Sequence, residues 1–213
     1  MTDKEKNMNS QKHNPLDIST VKKNPFTQFE IWFKLAKNTI KTDPNAMTLT
    51  TVAKDNTPNS RIVLLKYFDR KSGLRFFTNT NSQKALEIKH NPNVCINFYW
   101  PNLEKQIKIK GTCTRTRRDQ DEQYFITRNY DSKIGAWASK QSQELRSRKI
   151  LLDRVSSYKK KFPNNPICPQ HWGGYDISPD YFEFWQMGTH RLHERVIYKK
   201  DSNNNWDIYC LYP

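Results

Sequence analysis

The chain predicts a mainly β fold of the α+β class, an antiparallel barrel with peripheral helices. Three observations carry that expectation. Of 213 residues, 35% are hydrophobic and 13% aromatic, so the apolar content leans on large rings that suit strands. Between Ala46 and Gly111, short strand-like runs are separated by polar hairpin connections, Asp55-Asn-Thr-Pro-Asn59 and Asp69-Arg-Lys-Ser-Gly73. Three more strand-like runs close the chain after a helical stretch, and no internal repeat stands out.

Residues 1–24 are rich in Lys, Asn, Gln and Ser and are expected to form a flexible polar tail, leaving residues 25–213 as a single domain. Asn24 caps a helix with Pro25 in its first turn. Phe26, Phe29, Phe33, Ala36 and Ile40 follow helical steps, and Asp43-Pro44 ends it. Strands follow at 47–53, 61–68, 74–78, 94–100 and 106–111, interrupted by a helix over 82–90 that Asn91-Pro92 closes. Residues 118–128 and 143–162 read as helices, with Ser132-Lys-Ile-Gly-Ala-Trp-Ala-Ser139 between them. A Pro/Asn-rich loop over 163–169 leads to Trp172-Gly-Gly174, and the last strands are placed at 181–186, 191–199 and 206–211.

The formal net charge of +15 brings a polyanion partner into question. However, Lys outnumbers Arg and is scattered through tails, turns and helix faces, so no basic stripe forms. Cys95, Cys113, Cys168 and Cys210 are far apart with no Cys-x-x-Cys pair, which argues against zinc and a disulfide framework and for reduced thiols in a cytoplasm. The N-terminus lacks the apolar core of a secretory signal, and no run approaches the ~20 apolar residues of a membrane span. Neither Gly-x-Gly-x-x-Gly nor a P-loop occurs, and no metal site is expected.

The densest chemistry lies in Phe182-Glu-Phe-Trp-Gln-Met-Gly-Thr-His-Arg-Leu-His-Glu-Arg195. If a strand runs on from Gly188, then Arg191, His193 and Arg195 share one face suited to an anion, while Leu192 and Val196 turn to the core. The competing reading is the solvated face of an amphipathic strand, and core packing for Trp185. Arg61-Ile-Val-Leu-Leu-Lys66 carries a cation at each end, and in a regular strand the two point to opposite faces unless a bulge intervenes. Thr78-Asn-Thr-Asn-Ser82, followed by Gln83-Lys84, places hydroxyls and a cation at a helix start, a cradle for phosphate.

Taken in order, several segments resemble the pyridoxamine 5′-phosphate oxidase family. They are Arg61–Lys66, Phe77-Thr-Asn79, Ser82-Gln-Lys84, Leu103-Glu-Lys-Gln106, Ser132–Trp137, Ser139-Lys-Gln-Ser142, Trp172-Gly-Gly174, Phe184-Trp-Gln186 and His190–Arg195. The likeness spans about residues 25–213. It implies an FMN-binding split barrel, a homodimer with FMN between subunits. It also implies oxidation of pyridoxamine and pyridoxine 5′-phosphates to pyridoxal 5′-phosphate, with hydride passing to flavin N5 and O2 giving H2O2.

Carried over residue by residue, the cofactor set is Arg61, Ile62, Val63, Leu64, Leu65, Lys66, Phe77, Thr78, Gln83, Lys84, Gln106, Gln141, Ser142, Trp185 and Arg195. Arg61 and Lys84 are assigned to the FMN phosphate and Gln106 and Gln141 to the flavin ring. Lys66, Tyr124, Arg128 and Ser132 would grip the substrate phosphate, and Arg191 and His193 would be catalytic, beside the pyridine ring. Two departures stand out. Gln83 occupies a position where relatives usually carry Arg, which predicts weaker FMN retention, and residues 1–24 lack the Arg and Tyr that fold over substrate in some relatives. The runners-up are another flavin oxidase or reductase on this fold and, from a different class, a basic nucleic-acid-binding module.

Overall fold

A computed structural model describes residues 15–213 of the chain. Helix α1 (Pro25–Thr39) is capped by Asn24, whose side chain accepts from the Phe26 and Thr27 amides, as its sequence predicts. Strands β1 (Ala46–Val52), β2 (Pro58–Leu64), β3 (Tyr67–Asp69) and β4 (Gly73–Asn79) lead to α2 (Gln83–His90). Then come β5 (Asn93–Trp100), β6 (Lys105–Arg115), α3 (Arg118–Ile126), α4 (Tyr130–Ala138) and α5 (Arg148–Lys161). Strands β7 (Trp172–Gln186), β8 (Glu194–Lys200) and β9 (Trp206–Cys210) complete the order. No helix among the described residues is long and apolar enough to cross a membrane.

All pairings are antiparallel, in the order β2-β1-β5-β6-β7-β4-β3, with β8 on β7 and β9 on β8. Strand β7 is where the sheet forks. One edge pairs with β6 over 175–186, while the other pairs with β4 over 172–177 and with β8 over 181–186. At the fork the β6 register shifts between Lys110 and Gly111, opposite Pro179 and Tyr181, so Asp180 is the extra residue of a bulge. Pro179 has no N–H to donate, which suits it to that break.

Inside the curl, Leu49, Ile96, Phe98, Ile107, Ile109, Phe182, Phe184, Val196 and Tyr198 are fully buried, and α1 closes the core with Phe29, Trp32 and Phe33. Phe29 meets Phe98 edge-on at 5.5 Å, and Trp32 meets Phe184 at 5.2 Å. Truncating Phe29 or Phe98 to Ala would cost about 3–5 kcal/mol.

The structure corrects the sequence reading at several elements. The single strand over 61–68 is two strands, because the chain leaves β1 after Leu65, which bonds Asn45, and joins β4 through the Lys66 amide on Arg75. Residues 130–138 form a helix that was not anticipated, started by Asn129, whose side chain accepts from the Ser132 amide. Helix α5 begins at Arg148 rather than Gln143. The strand expected from 181 starts earlier, at Trp172, and runs 15 residues as β7.

Of the tail expected over 1–24, residues 1–14 lie outside the described residues. Residues 15–24 are held in place: Leu16 is buried, its amide donates to Glu194, and the Tyr198 hydroxyl donates to the Lys22 carbonyl.

Candidate active site

The bend at Leu65–Lys66 decides the site. Beyond it the alternation that would separate Arg61 from Lys66 no longer applies, and both line one cavity of about 800 Å³. The cavity also takes Ile62, Val63, Leu64, Phe77, Thr78, Gln83, Lys84, Tyr124, Arg128, Ser132, Gln141 and Ser142, all expected at the site. Leu65 does not line it; its side chain is 4% exposed and packs in the core.

In this cavity the β4–α2 junction presents a buried cation. Lys84 Nζ donates to Thr78 Oγ1 at 3.3 Å and Ser82 Oγ at 3.2 Å, and among the described residues no carboxylate lies within ion-pair distance. Burial, with the charge of Arg61 nearby, pushes the Lys84 ammonium down to about 8. Arg61 donates to Leu49 O, Thr51 Oγ1 and Glu87 Oε2. Glu87, 6% exposed, also accepts from Thr51, Asn59 and Gln83. Burial raises its carboxyl, but the Thr51 and Gln83 donors and the Arg61 charge outweigh that and hold it below the usual range. The Gln83 amide is thus engaged by Glu87 at 2.9 Å.

Helix α3 supplies Tyr124, the α3–α4 connection Arg128 and α4 Ser132. The Phe77 ring stacks on Tyr124 at 4.2 Å and on Trp172 at 5.1 Å, and the Arg128 guanidinium lies 4.8 Å from the Trp172 centroid. Arg128 Nη1 is buried with no hydrogen-bond partner among the described residues. Burial lowers the guanidinium from its ordinary value, though it stays charged. A buried donor left unpaired costs about 1–3 kcal/mol, more for a charged group, so this nitrogen is built for an anion.

The remaining expected residues lie outside this cavity. Gln106, Trp185 and Arg195 form a row of direct cross-strand partners over β6, β7 and β8 and share one sheet face. His193 packs on Trp185 with ring centroids 4.7 Å apart, and its Nδ1 accepts from the Gly188 amide at 3.3 Å. A backbone N–H can only donate, so in the neutral ring the proton sits on Nε2.

The strand face expected to carry Arg191, His193 and Arg195 does not form. Residues 189–191 make a 3₁₀ turn in which His190 and Arg191 have φ of 55° and 64°, so Arg191 precedes β8 and Leu192 is exposed rather than in the core. Val196 does turn inward. Arg195 is clamped: Nε and Nη2 reach Glu183 Oε1 at 2.9 and 2.8 Å, and Nη1 reaches the Tyr212 carbonyl at 2.8 Å.

Three residues of the site escaped the sequence reading. Glu87 sits four residues after Gln83 on one helix face, a spacing that could have flagged it. Glu183, 3% exposed, lies between Phe182 and Phe184, an acid where the flanking pattern is aromatic. Trp172 was named only within the Trp172-Gly-Gly174 segment of the resemblance, with no role of its own.

The donor set fits an FMN phosphate. Lys84, Thr78 and Ser82 converge at a helix start, with a cation lacking a paired carboxylate, beside a cavity of size ordinary for a cofactor.

Comparison with known proteins agrees with this geometry. A family model described as pyridoxamine 5′-phosphate oxidase matches residues 35–161. A second, described as the pyridoxine 5′-phosphate oxidase C-terminal dimerisation region, matches residues 172–213. The pyridoxine/pyridoxamine 5′-phosphate oxidase of Burkholderia thailandensis is 44% identical over 200 residues, 93% of each chain, and that of Burkholderia mallei is equally similar. Among solved structures, PhzG from Burkholderia lata in complex with tetrahydrophenazine-1-carboxylic acid has a TM-score of 0.86 at 26% identity. It covers 92% of this chain and 95% of its own. A pyridoxamine 5′-phosphate oxidase-related, FMN-binding protein from Nostoc punctiforme shares the fold, with a TM-score of 0.71 at 17% identity over 89% and 98% of the two chains.

Proposed function

The chain belongs to the pyridoxamine 5′-phosphate oxidase family of FMN-dependent oxidoreductases, and from that premise we propose that it oxidises pyridoxamine and pyridoxine 5′-phosphates to pyridoxal 5′-phosphate in the cytoplasm. The observation that carries this reading is the buried, unpartnered Arg128 Nη1, in a cavity that Lys66, Tyr124, Ser132 and Lys84 also line. One cavity lined by Arg61, Lys66, Lys84 and Arg128 has cations enough for two phosphates, one of the cofactor and one of the substrate.

FMN, when bound, supplies the acceptor for the hydride that leaves the substrate's C4′ carbon, with O2 as the final oxidant. The chain's own residues bind and orient. Lys84 and Arg61 neutralise the cofactor phosphate, with the Thr78 and Ser142 hydroxyls as further donors. Lys66 and Arg128 neutralise the substrate phosphate, and Tyr124 and Ser132 add hydroxyl donors. Fixing the phosphate end of so small a substrate limits where its reacting carbon can lie.

Gln106, Trp185, Arg191, His193 and Arg195 enter the site from a second copy. The match of residues 172–213 to a dimerisation region supports this, as does the position of the β6–β7–β8 row outside the cavity. In that arrangement Arg191 orients the pyridine ring by its charge, and His193 offers Nε2–H to the substrate.

The test is anaerobic addition of each vitamer phosphate, and of tetrahydrophenazine-1-carboxylic acid, to FMN-loaded protein. Bleaching of the visible flavin band by the vitamer phosphates, reversed by air with release of pyridoxal 5′-phosphate, is expected. Bleaching by the carboxylic acid alone would overturn the substrate assignment.

A further inference from the structure

We propose that Trp172 is a positioning residue for the substrate-phosphate grip, its ring setting the place and tilt of the Arg128 guanidinium. The inference rests on the reading of Arg128 as a phosphate ligand and adds the residue through which that ligand is held.

Among the described residues, Arg128 makes no ion pair. What lies against its guanidinium is aromatic: the Trp172 centroid at 4.8 Å and the Phe125 centroid at 5.4 Å. A cation over a ring face is attracted by the ring's quadrupole, and a wide indole face restrains a planar guanidinium without using its N–H donors. That leaves Nη1 free for an anion while the group stays fixed.

Trp172 can serve this way because it is itself locked. It is 5% exposed, is the first residue of β7 and pairs with Asn79 of β4. Its ring lies nearly parallel to Phe77 and Tyr124, at 5° and 6°, and meets Phe125 edge-on at 5.0 Å. The two glycines that follow make the approach feasible. A Cβ at Gly173 would lie 2.3 Å from Asp121 Oδ2, and one at Gly174 would lie 2.8 Å from the Phe77 ring. Trp-Gly-Gly therefore packs one indole beside the stacked Phe77 and Tyr124 rings and against the Arg128 guanidinium.

The experiment compares Trp172→Leu, Trp172→Phe and Arg128→Ala as FMN-loaded proteins, reading KM, kcat, FMN retention and inhibition by inorganic phosphate. Trp172→Leu is expected to raise KM for both vitamer phosphates and the inhibition constant for phosphate about tenfold, with kcat and FMN retention close to the parent. Trp172→Phe, which keeps a ring, should recover most of that loss. General damage to the fold would move FMN retention and kcat as well. Equal effects of Leu and Phe, or an unchanged KM in Trp172→Leu while Arg128→Ala raises it, would overturn the positioning role alone. An unchanged KM in Arg128→Ala would remove the phosphate-ligand reading and this proposal with it.

Should Trp172→Leu fail to fold, Trp172→Phe is measured in the parent and in the Arg128→Ala background. A smaller KM effect in the second supports the coupling, and additive effects contradict it.

Discussion

In the cavity Lys84 and Arg128 are enclosed and have no carboxylate within ion-pair distance among the described residues, whereas along the β6–β7–β8 row Arg195 and Lys108 are both paired with Glu183. Lys84 has two hydroxyls for company and Arg128 two ring faces, with one nitrogen unbonded. Arg195, by contrast, is held by Glu183 and the Tyr212 carbonyl, and Lys108 also reaches Glu183. Burial pushes the Glu183 carboxyl up, yet Lys108, Arg195 and Tyr181 outweigh it and hold it below the ordinary range. The difference separates two jobs. Unmatched buried cations are receptors for anions, and matched ones hold a surface in shape for something else to dock against.

The largest expected effect comes from removing a receptor cation. Lys84→Met should weaken FMN binding by about 2–5 kcal/mol, the range for truncating one partner of a buried charge pair, read by fluorescence titration of flavin. Retention equal to the parent would place the cofactor phosphate elsewhere.

The next effect is a pH dependence. The Lys84 ammonium titrates at about 8 before an anion binds, so the charge that meets phosphate is present below that pH and lost above it. FMN affinity should fall progressively above about pH 8, while Lys84→Arg, whose cation does not titrate there, should flatten that fall. A parent profile that stays flat to pH 9.5 would show that the Lys84 charge does not govern binding.

The smallest effect concerns Gln83. Its amide is engaged by Glu87, so Gln83→Arg adds a charge that first meets Glu87 and relieves the demand on Arg61. A gain in FMN affinity of roughly 0.2–1 kcal/mol is expected. Unchanged affinity would remove Gln83 as the cause of any weak retention.

Much of the cavity was legible because it depends on local chemistry. The Asn24 cap, the strand-to-helix junction at Lys84 and the hairpin connections are short-range signals, and the structure keeps them. What the sequence hid was non-local. Nothing within Arg61–Lys66 says that the chain changes partner strand at Leu65, since Asn45 and Arg75 determine that. Positive φ at His190 and Arg191 breaks the alternation that residues 191–195 suggest, and neither is a glycine. Helix α4 went unread because Ser132–Ser139 has no clear apolar stripe; its burial of Lys133, Ile134 and Ala138 comes from tertiary packing. Glu87 and Glu183 carry no role in the sequence reading, because the cations around them come from other strands that the fold brings alongside.

The central claim is that the two regions complete each other across two copies of the chain, and subunit complementation tests it most directly. Arg128→Ala and Arg191→Ala, each expected to be strongly impaired as a homodimer at substrate concentrations far below the raised KM of Arg128→Ala, are co-expressed with different tags and assayed together at such concentrations. If the cavity of one copy meets the Arg191 loop of its partner, each mixed dimer holds one intact site and one doubly altered site. Activity should then return to about a quarter of the parent at random pairing, and to about half in isolated mixed dimers. If each copy supplies both residues to its own site, every site in the mixed dimer lacks one of them, and an assay that stays at the level of the single variants would contradict the account.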